Sequence, residues 1–86
     1  MTDIGKRIKE LRTERDLTIE MVVADMNRKF NFNPPYHKSM ISRWENQKSE
    51  PTLENAKYLS LYFDVSLDYL IGVTNTRTPL RLRKKH

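Results

Sequence analysis

Cysteine is absent from this sequence of 86 residues, glycine occurs only twice, and no long apolar run interrupts the charged composition. Without cysteine the chain has no disulfide framework and no cysteine metal site, and its expected compartment is the reducing cytoplasm. No segment has the length of a membrane span, and the first residues lack the apolar stretch of a signal peptide. We therefore expect one small cytoplasmic domain with no membrane partner.

Side chains suited to catalysis or metal binding are scarce as well. The two histidines, His37 and His86, lie far apart in the sequence, so no metal site is predicted. The chain has no glycine-rich loop of the kind that binds phosphate, and its carboxylates are scattered over charged helical segments. The sequence therefore predicts neither an enzyme nor a protein with a cofactor.

The net charge of +5 is unevenly distributed. Residues 1–72 carry 11 basic and 11 acidic side chains, so the whole excess lies in residues 73–86. Within the neutral part, residues 28–48 have a net charge of +4 and are flanked by segments of net negative charge. A basic middle favours binding to a polyanion, although four charges also suit a solvated surface.

Hydrophobic periodicity predicts helices and no strands. Ile4, Ile8 and Leu11 recur as on one face of a helix, which is expected to end near residues 14–16. Thr18 is the expected N-cap of a second helix, because its hydroxyl can accept from a free amide of the first turn. The inward side of that helix is expected to be Ile19, Val22, Val23, Met26 and Phe30.

The last two predicted helices follow Thr52 and Ser66, which serve as N-caps. The inward residues of the fourth helix are expected to be Leu53, Ala56, Leu59 and either Ser60 or Phe63. The fifth helix is expected over residues 67–71, and Gly72 can end it in the left-handed conformation.

The third predicted helix, over residues 37–46, carries the most informative surface. Proline cannot continue a helix, so Pro34 and Pro35 separate it from the second one. Its inward side is expected to be Met40, Ile41 and Trp44, and its opposite face is polar and basic, formed by Lys38, Ser39, Ser42 and Arg43. One such helix fits the major groove of DNA, where Arg and Lys reach guanine O6 and N7.

Five segments, taken in order, resemble the Xre/Cro/lambda-repressor helix-turn-helix family. They are residues 8–12 (IKELR), 17–23 (LTIEMVV), 40–45 (MISRWE), Pro51 and residues 63–70 (FDVSLDYL). Each segment alone is a weak signal, but all five in this order are a strong one. The resemblance covers residues 4–72 and implies an all-α, five-helix, lambda-repressor-like domain. In that family the third helix lies in the major groove of operator DNA, usually with the protein as a dimer.

Base contacts are therefore assigned to the third helix. By the resemblance, Lys38, Ser39 and Arg43 match base-reading positions, and Ser42 shares their predicted face. Met40 is the fifth candidate, because its side chain suits either a thymine methyl group or the core.

Phosphate contacts are expected on either side of the base-reading residues. The full set of candidates is Thr18, Arg28, Lys29, His37, Asn46 and Lys48. The last three match family positions near the DNA backbone, whereas Arg28 and Lys29 are candidates through their charge.

Arg12 and Glu45 match positions that tend, in this family, to form a partly buried ion pair between the first and third helices. We expect a structural role for both residues. Removing one partner of such a pair leaves the other charge buried, which costs more than breaking an exposed pair.

The sequence departs from the family pattern at the turn between the second and third helices. Residues 27–36 make this connection several residues longer than the common form, and Phe30, Phe32 and Tyr36 are expected to anchor it. Ile19 replaces a family glutamine, so no polar contact is expected there. Because Gln47 replaces a glycine, either Gln47 is strained in the left-handed conformation or Asn46 takes it.

The expected function is regulation of transcription by a repressor of bacterial or phage type, bound to an operator as a homodimer. The dimer contact is expected to use some of Val65, Leu67, Tyr69, Leu70 and Ile71. The alternative is the DNA-binding antitoxin of a toxin–antitoxin pair. A tethering role of the basic tail is a third possibility, although the tail lacks the apolar face that membranes require. A protein antagonist is compatible with any of these roles.

The predicted organisation is a helix-turn-helix domain over residues 1–72 and a basic, flexible tail over residues 73–86. The tail shows no helical periodicity, so its deletion is expected to leave the fold intact.

Overall fold

The structure, a computed structural model, describes residues 3–79, which form five helices. They are α1 (Asp3–Glu14), α2 (Ile19–Phe30), α3 (Lys38–Glu45), α4 (Leu53–Phe63) and α5 (Leu67–Leu70). These residues contain no strand, so the predicted all-α, five-helix architecture is confirmed. Within the same range, no helix is long and apolar enough to cross a membrane.

A single apolar core joins the helices. Its completely buried side chains are Ile8, Leu11, Val22, Met26, Ile41, Leu59, Phe63 and Leu70. The two alternatives for α4 are both buried, with Ser60 7 % and Phe63 0 % exposed. The prediction for Leu53 was wrong, because this side chain is 70 % exposed. Leu53 is the first residue of α4, and helical side chains tilt toward the N-terminus, which here points beyond the core.

Hydroxyl groups begin three of the helices, as the sequence predicts. The hydroxyls of Thr18, Thr52 and Ser66 accept from the amide three residues later, at 3.0, 3.1 and 2.9 Å. Each bond satisfies an amide that has no partner inside its own helix.

The long connection between α2 and α3 is held by hydrogen bonds and aromatic packing. The side chain of Asn27 accepts from the Tyr36 amide at 2.8 Å and donates to the Tyr36 carbonyl at 2.9 Å. Phe32 stacks on Tyr36 with ring centroids 4.1 Å apart, and Phe30 and Tyr58 complete the cluster. The expected anchoring by Phe30, Phe32 and Tyr36 is confirmed, and the connection leads into α3 along a defined path.

Residues 73–79, which we call the C-terminal strap, lie against α1 and α5, whereas the sequence analysis expected a flexible tail there. Ser66 holds the strap from the start of α5. Its amide donates to the carbonyl of Arg77 at 2.7 Å, and its hydroxyl donates to the carbonyl of Thr76 at 3.0 Å. From α1, Arg7 donates to the carbonyl of Thr74 at 2.8 Å.

The side chain of Arg77 anchors the strap a second time. Its guanidinium donates to both carboxylate oxygens of Glu14, at 2.9 and 2.8 Å, and these bonds lower the pKa of Glu14. Deleting residues 73–86 removes these contacts, so we now expect this deletion to lower stability. Hydrophobic periodicity missed the strap because its attachment uses backbone carbonyls. The rest of the basic tail, residues 80–86, lies outside the described residues.

Candidate nucleic-acid interface

Helix α3 presents a polar face to solvent. Ile41 is completely buried and Trp44 is 5 % exposed, so these two side chains hold the helix against the core. Lys38, Ser39 and Arg43 are exposed on the other side. Because the helix rests on a packed core, the three polar side chains start from fixed backbone positions.

The remaining base-contact candidates, Met40 and Ser42, lie closer to the protein. Met40 is half-buried and packs against the core, which favours a role in the core over contact with a thymine methyl group. Ser42 is also half-buried, and its carbonyl and hydroxyl accept from the Asn46 side chain at 2.9 and 3.3 Å. Ser42 and Asn46 are therefore both engaged within the end of α3.

Of the two conformations expected at the end of α3, the structure shows the strained one, in which Gln47 is left-handed. Gln47 has a φ of 59°, whereas Asn46 has a φ of −94°. A left-handed residue other than glycine costs about 1–2 kcal/mol. The turn is closed by the Lys48 amide, which donates to the Arg43 carbonyl at 2.8 Å. The exposed Lys48 side chain is thereby placed beside the end of the helix.

A partly buried ion pair joins α3 to α1. Arg12 donates from Nε to Glu45 Oε2 at 2.7 Å and from Nη2 to Oε1 at 2.8 Å. The two side chains are only 14 % and 4 % exposed, and the hydrogen bond to Glu45 raises the pKa of Arg12. Arg12 Nη1 also donates to the carbonyl of Leu17 at 2.9 Å. This pairing, expected from the resemblance, connects α3 to α1 and to the turn before α2.

The backbones of α1 and α3 approach each other at Gly5. A Cβ atom at Gly5 would lie 2.0 Å from the carbonyl oxygen of Trp44, which is far inside van der Waals contact. No role for Gly5 was predicted from the sequence. A signal was nevertheless present, because a glycine inside a helix is unfavourable by about 1 kcal/mol relative to alanine and therefore needs a packing reason.

Thr18 and Lys38 line one groove between the start of α2 and the start of α3. Ile19 lines the same groove, is half-buried and packs against the core, so it fills space where the family has a polar side chain. His37 is exposed next to α3, with Nδ1 2.6 Å from the Ser39 hydroxyl. The structure thus brings Lys38, the first residue of α3, to the N-terminus of α2.

Arg28 and Lys29 lie at the other end of α2 and do not line this groove. Arg28 pairs with Asp25 at 2.5 Å, and the Lys29 ammonium lies 5.6 Å from the centroid of the Phe30 ring. Ten residues of helix separate Arg28 from Thr18, which corresponds to about 15 Å. Arg28 and Lys29 are therefore too far from Thr18 to contact the same phosphate.

An ion pair that the sequence analysis missed crosses the groove. Lys38 Nζ lies 2.8 Å from Glu20 Oε2, and the side chains are 63 % and 62 % exposed. The hydrogen bond between them raises the pKa of Lys38 and lowers that of Glu20. An acidic residue in the first turn of a helix normally indicates only a favourable interaction with the helix dipole. The approach of Lys38 depends on how α2 and α3 pack, which the sequence does not show.

Apart from the carboxylate of Glu20, the groups at this surface are mainly hydrogen-bond donors and cations. Among residues 3–79, no three histidine or acidic side chains are arranged to hold a metal ion. An exposed helical face with Arg, Lys and Ser suits recognition of base edges, and flanking polar groups suit phosphates.

Comparison with known proteins agrees with this geometry. The Helix-turn-helix (HTH_3) family matches residues 8–70. The chain is 28 % identical over 70 residues to the HTH-type transcriptional activator BcrR of Enterococcus faecalis, covering 81 % of this chain and 30 % of that protein. It is 28 % identical over 79 residues to the uncharacterized HTH-type transcriptional regulator YobD of Bacillus subtilis (strain 168), covering 92 % and 63 %. The chain thus spans less than two thirds of either relative, and no solved structure matches it.

Proposed function

The chain belongs to the helix-turn-helix family of DNA-binding transcriptional regulators, and on this premise we propose that it reads a specific operator through the exposed face of α3. Repression is the mode that we propose, because a protein bound at an operator excludes polymerase without having to contact it. The proposal assigns the chain no enzymatic activity.

The observation that carries the proposal is the rigid display of Lys38, Ser39 and Arg43. All three are exposed on a helix whose opposite side is buried and whose end is tied to α1 by the Arg12–Glu45 pair. Specific reading requires side chains that are held in register with base edges, and a packed helix provides this. The planar fork of Arg43 suits the two acceptors of guanine.

The residues around this face supply affinity without sequence information. Thr18, His37, Asn46 and Lys48 flank the exposed face at the start of α2 and at both ends of α3. We propose that they contact phosphates and that Arg28 and Lys29 contact phosphates further along the duplex. Such contacts strengthen binding to any DNA and make it sensitive to salt.

Replacing Arg43 by alanine is expected to reduce selectivity, whereas replacing Lys48 is expected to reduce affinity for all DNA alike. Loss of a bidentate Arg contact costs about 1–3 kcal/mol on the preferred site and relaxes the preference at one base pair. Loss of one phosphate contact reduces the slope of log K against log salt by about one unit. Titrations of both variants on a duplex selected from random sequences, and on a scrambled duplex, measure the difference.

Lys9→Ala serves as the matched control for Lys48→Ala, because Lys9 is an exposed lysine of α1 and both variants lose one positive charge. Its affinity and salt slope are expected to stay close to those of the parent. If Arg43→Ala weakened the selected and scrambled duplexes equally, Arg43 would not be a base-reading residue.

For the dimer, the structure alters which residues we propose as contacts. Val65, Tyr69 and Leu70 are buried in the core, which leaves Leu67 and Ile71 from the expected set. The 70 % exposed Leu53 stands beside them between two grooves. One is lined by Ile4, Glu50, Pro51, Leu53, Ala56 and Ile71, and the other by Leu53, Glu54, Lys57 and Leu67. Under two-fold symmetry, the protruding Leu53 of each copy can pack into the apolar groove of the other copy. We therefore propose that a second copy covers this surface.

Leu53→Asp is therefore expected to weaken the dimer about a hundredfold or more, because burying a leucine side chain is worth about 1.5–3 kcal/mol and the interface contains two copies. Sedimentation across a concentration series measures this change. The selected operator is expected to be an inverted repeat with half-sites about 34–36 Å apart, one turn of DNA. Leu61→Asp is the control, because Leu61 is an exposed leucine of α4 that lines neither groove. A selected site without an inverted repeat, or an equal effect of both variants, contradicts the proposed dimer.

A further inference from the structure

Glu20 places a carboxylate on the surface that the proposed function turns toward DNA. It lies in the groove that Thr18 and Lys38 also line, and its side chain is 62 % exposed. Phosphates close to this surface repel the carboxylate, and this repulsion by itself would weaken binding to every sequence alike. The presence of an acidic group at this position therefore needs an explanation other than a gain in affinity for DNA.

Glu20 forms an ion pair with Lys38, and this pairing changes what Lys38 gains from other anions. An unpaired ammonium on a flexible four-carbon stem attracts any phosphate within reach. Here the Lys38 ammonium already lies 2.8 Å from the Glu20 carboxylate. If Lys38 contacts a phosphate, its ammonium exchanges one anionic partner for another. The phosphate then also comes close to the carboxylate of Glu20. Pairing thus reduces the gain that Lys38 would obtain from the DNA backbone.

The Glu20–Lys38 pair affects contacts with base edges differently. An ammonium has three donors and no acceptor, so Lys38 can keep its bond to Glu20 and still donate to another group. Guanine O6 and N7 are uncharged acceptors in the major groove and repel a carboxylate much less than a phosphate does. Contact with guanine therefore leaves the ion pair intact, whereas contact with a phosphate works against it.

We propose that Glu20 is a specificity-determining residue, which keeps Lys38 available to base edges and withholds it from phosphates. The inference rests on the proposed reading of DNA by α3 and adds a residue of α2 to it. A purely structural role explains less, because exposed ion pairs contribute little to stability.

The test uses Glu20→Gln in the full chain, since glutamine keeps the size and hydrogen-bonding oxygen of the side chain and removes its charge. Affinity for a scrambled duplex is expected to rise more than affinity for the selected operator, so that the ratio of the two affinities falls. The freed Lys38 is expected to make one additional phosphate contact, which steepens the salt dependence on scrambled DNA by about one unit. The midpoint of thermal unfolding, measured in parallel, is expected to change little.

Two further variants make the result specific. Glu10→Gln makes the same change of charge at an exposed position on α1 and is expected to leave the ratio of affinities unchanged. In a Lys38→Gln background, Glu20→Gln is expected to lose its effect on the salt dependence, because the lysine through which it acts is absent. The inference is overturned, while operator binding stands, if Glu20→Gln and Glu10→Gln change the ratio of affinities equally. It is also overturned if Glu20→Gln still lowers that ratio or steepens the salt dependence in the Lys38→Gln background. If the parent protein selects no sequence, the proposed function fails and the inference fails with it.

Discussion

The Glu45→Gln variant is expected to lose about 3 kcal/mol of the free energy of unfolding, the lower end of the range for buried pairs, because it leaves the partly buried Arg12 guanidinium without its counter-charge. The Glu45 side chain is 4 % exposed and accepts two hydrogen bonds from Arg12. A loss of this size lowers the melting temperature of so small a domain by roughly 12 °C or more. Calorimetry or circular dichroism during heating measures it. Operator affinity is expected to fall too, since the pair fixes α3 against α1.

The exposed pair between Glu14 and Arg77 supplies the control for this variant. Its side chains are 48 % and 44 % exposed, so Glu14→Gln is expected to change stability far less than Glu45→Gln does. Replacing both Arg12 and Glu45 by leucine is expected to recover most of the lost stability, because no buried charge remains. A single Glu45→Gln variant as stable as the parent would show that the pair contributes nothing to the fold.

The Gly5→Ala variant is expected to be destabilised by about 3 kcal/mol, the upper end of the range for overpacked sites. Alanine ordinarily stabilises the interior of a helix by about 1 kcal/mol relative to glycine, so the expected sign is reversed here. The reason is the position of the new Cβ atom, 2.0 Å from the carbonyl oxygen of Trp44. That oxygen belongs to the backbone of α3, so relief requires α1 and α3 to move apart. Chemical denaturation measures the loss.

Lys6→Ala is the matched control for Gly5→Ala, because Lys6 is the next residue of α1 and its side chain is exposed. It is expected to leave stability nearly unchanged. Gly5→Ala is also expected to weaken binding to the selected operator at temperatures where the variant is still folded, because the same movement displaces α3. A stable Gly5→Ala variant with the operator affinity of the parent would mean that the contact between Gly5 and Trp44 does not hold α3 in place.

Local rules account for the features that could be predicted from the sequence alone. The apolar spacing of Ile4, Ile8 and Leu11 identified the buried side of α1, and the hydroxyls of Thr18 and Ser66 marked helix starts. These features depend on residues within one or two turns of each other, so they can be read from the order of residues along the chain. The exposed side of α3 follows from the same rule, because burial of Ile41 and Trp44 directs Lys38, Ser39 and Arg43 outward.

Other features required the tertiary structure, because they join residues that are distant in the sequence. The strap depends on Arg77 meeting Glu14 and on Ser66 meeting a backbone carbonyl, neither of which produces a periodic pattern. The exposure of Leu53 depends on where the core ends, although the residue fits the apolar spacing of α4.

The groove between α2 and α3 shows the same division most clearly. The sequence by itself marked Lys38 as a cation on a polar helical face and Glu20 as an acidic residue near a helix start. Only the packing of α2 against α3 brings their charges to 2.8 Å. Likewise, only the packing of α1 against α3 turns Gly5 from an unfavourable helix residue into the position that lets the two helices meet. Distance between charges and clearance between backbones are properties of the assembled helices, so no local pattern contains them.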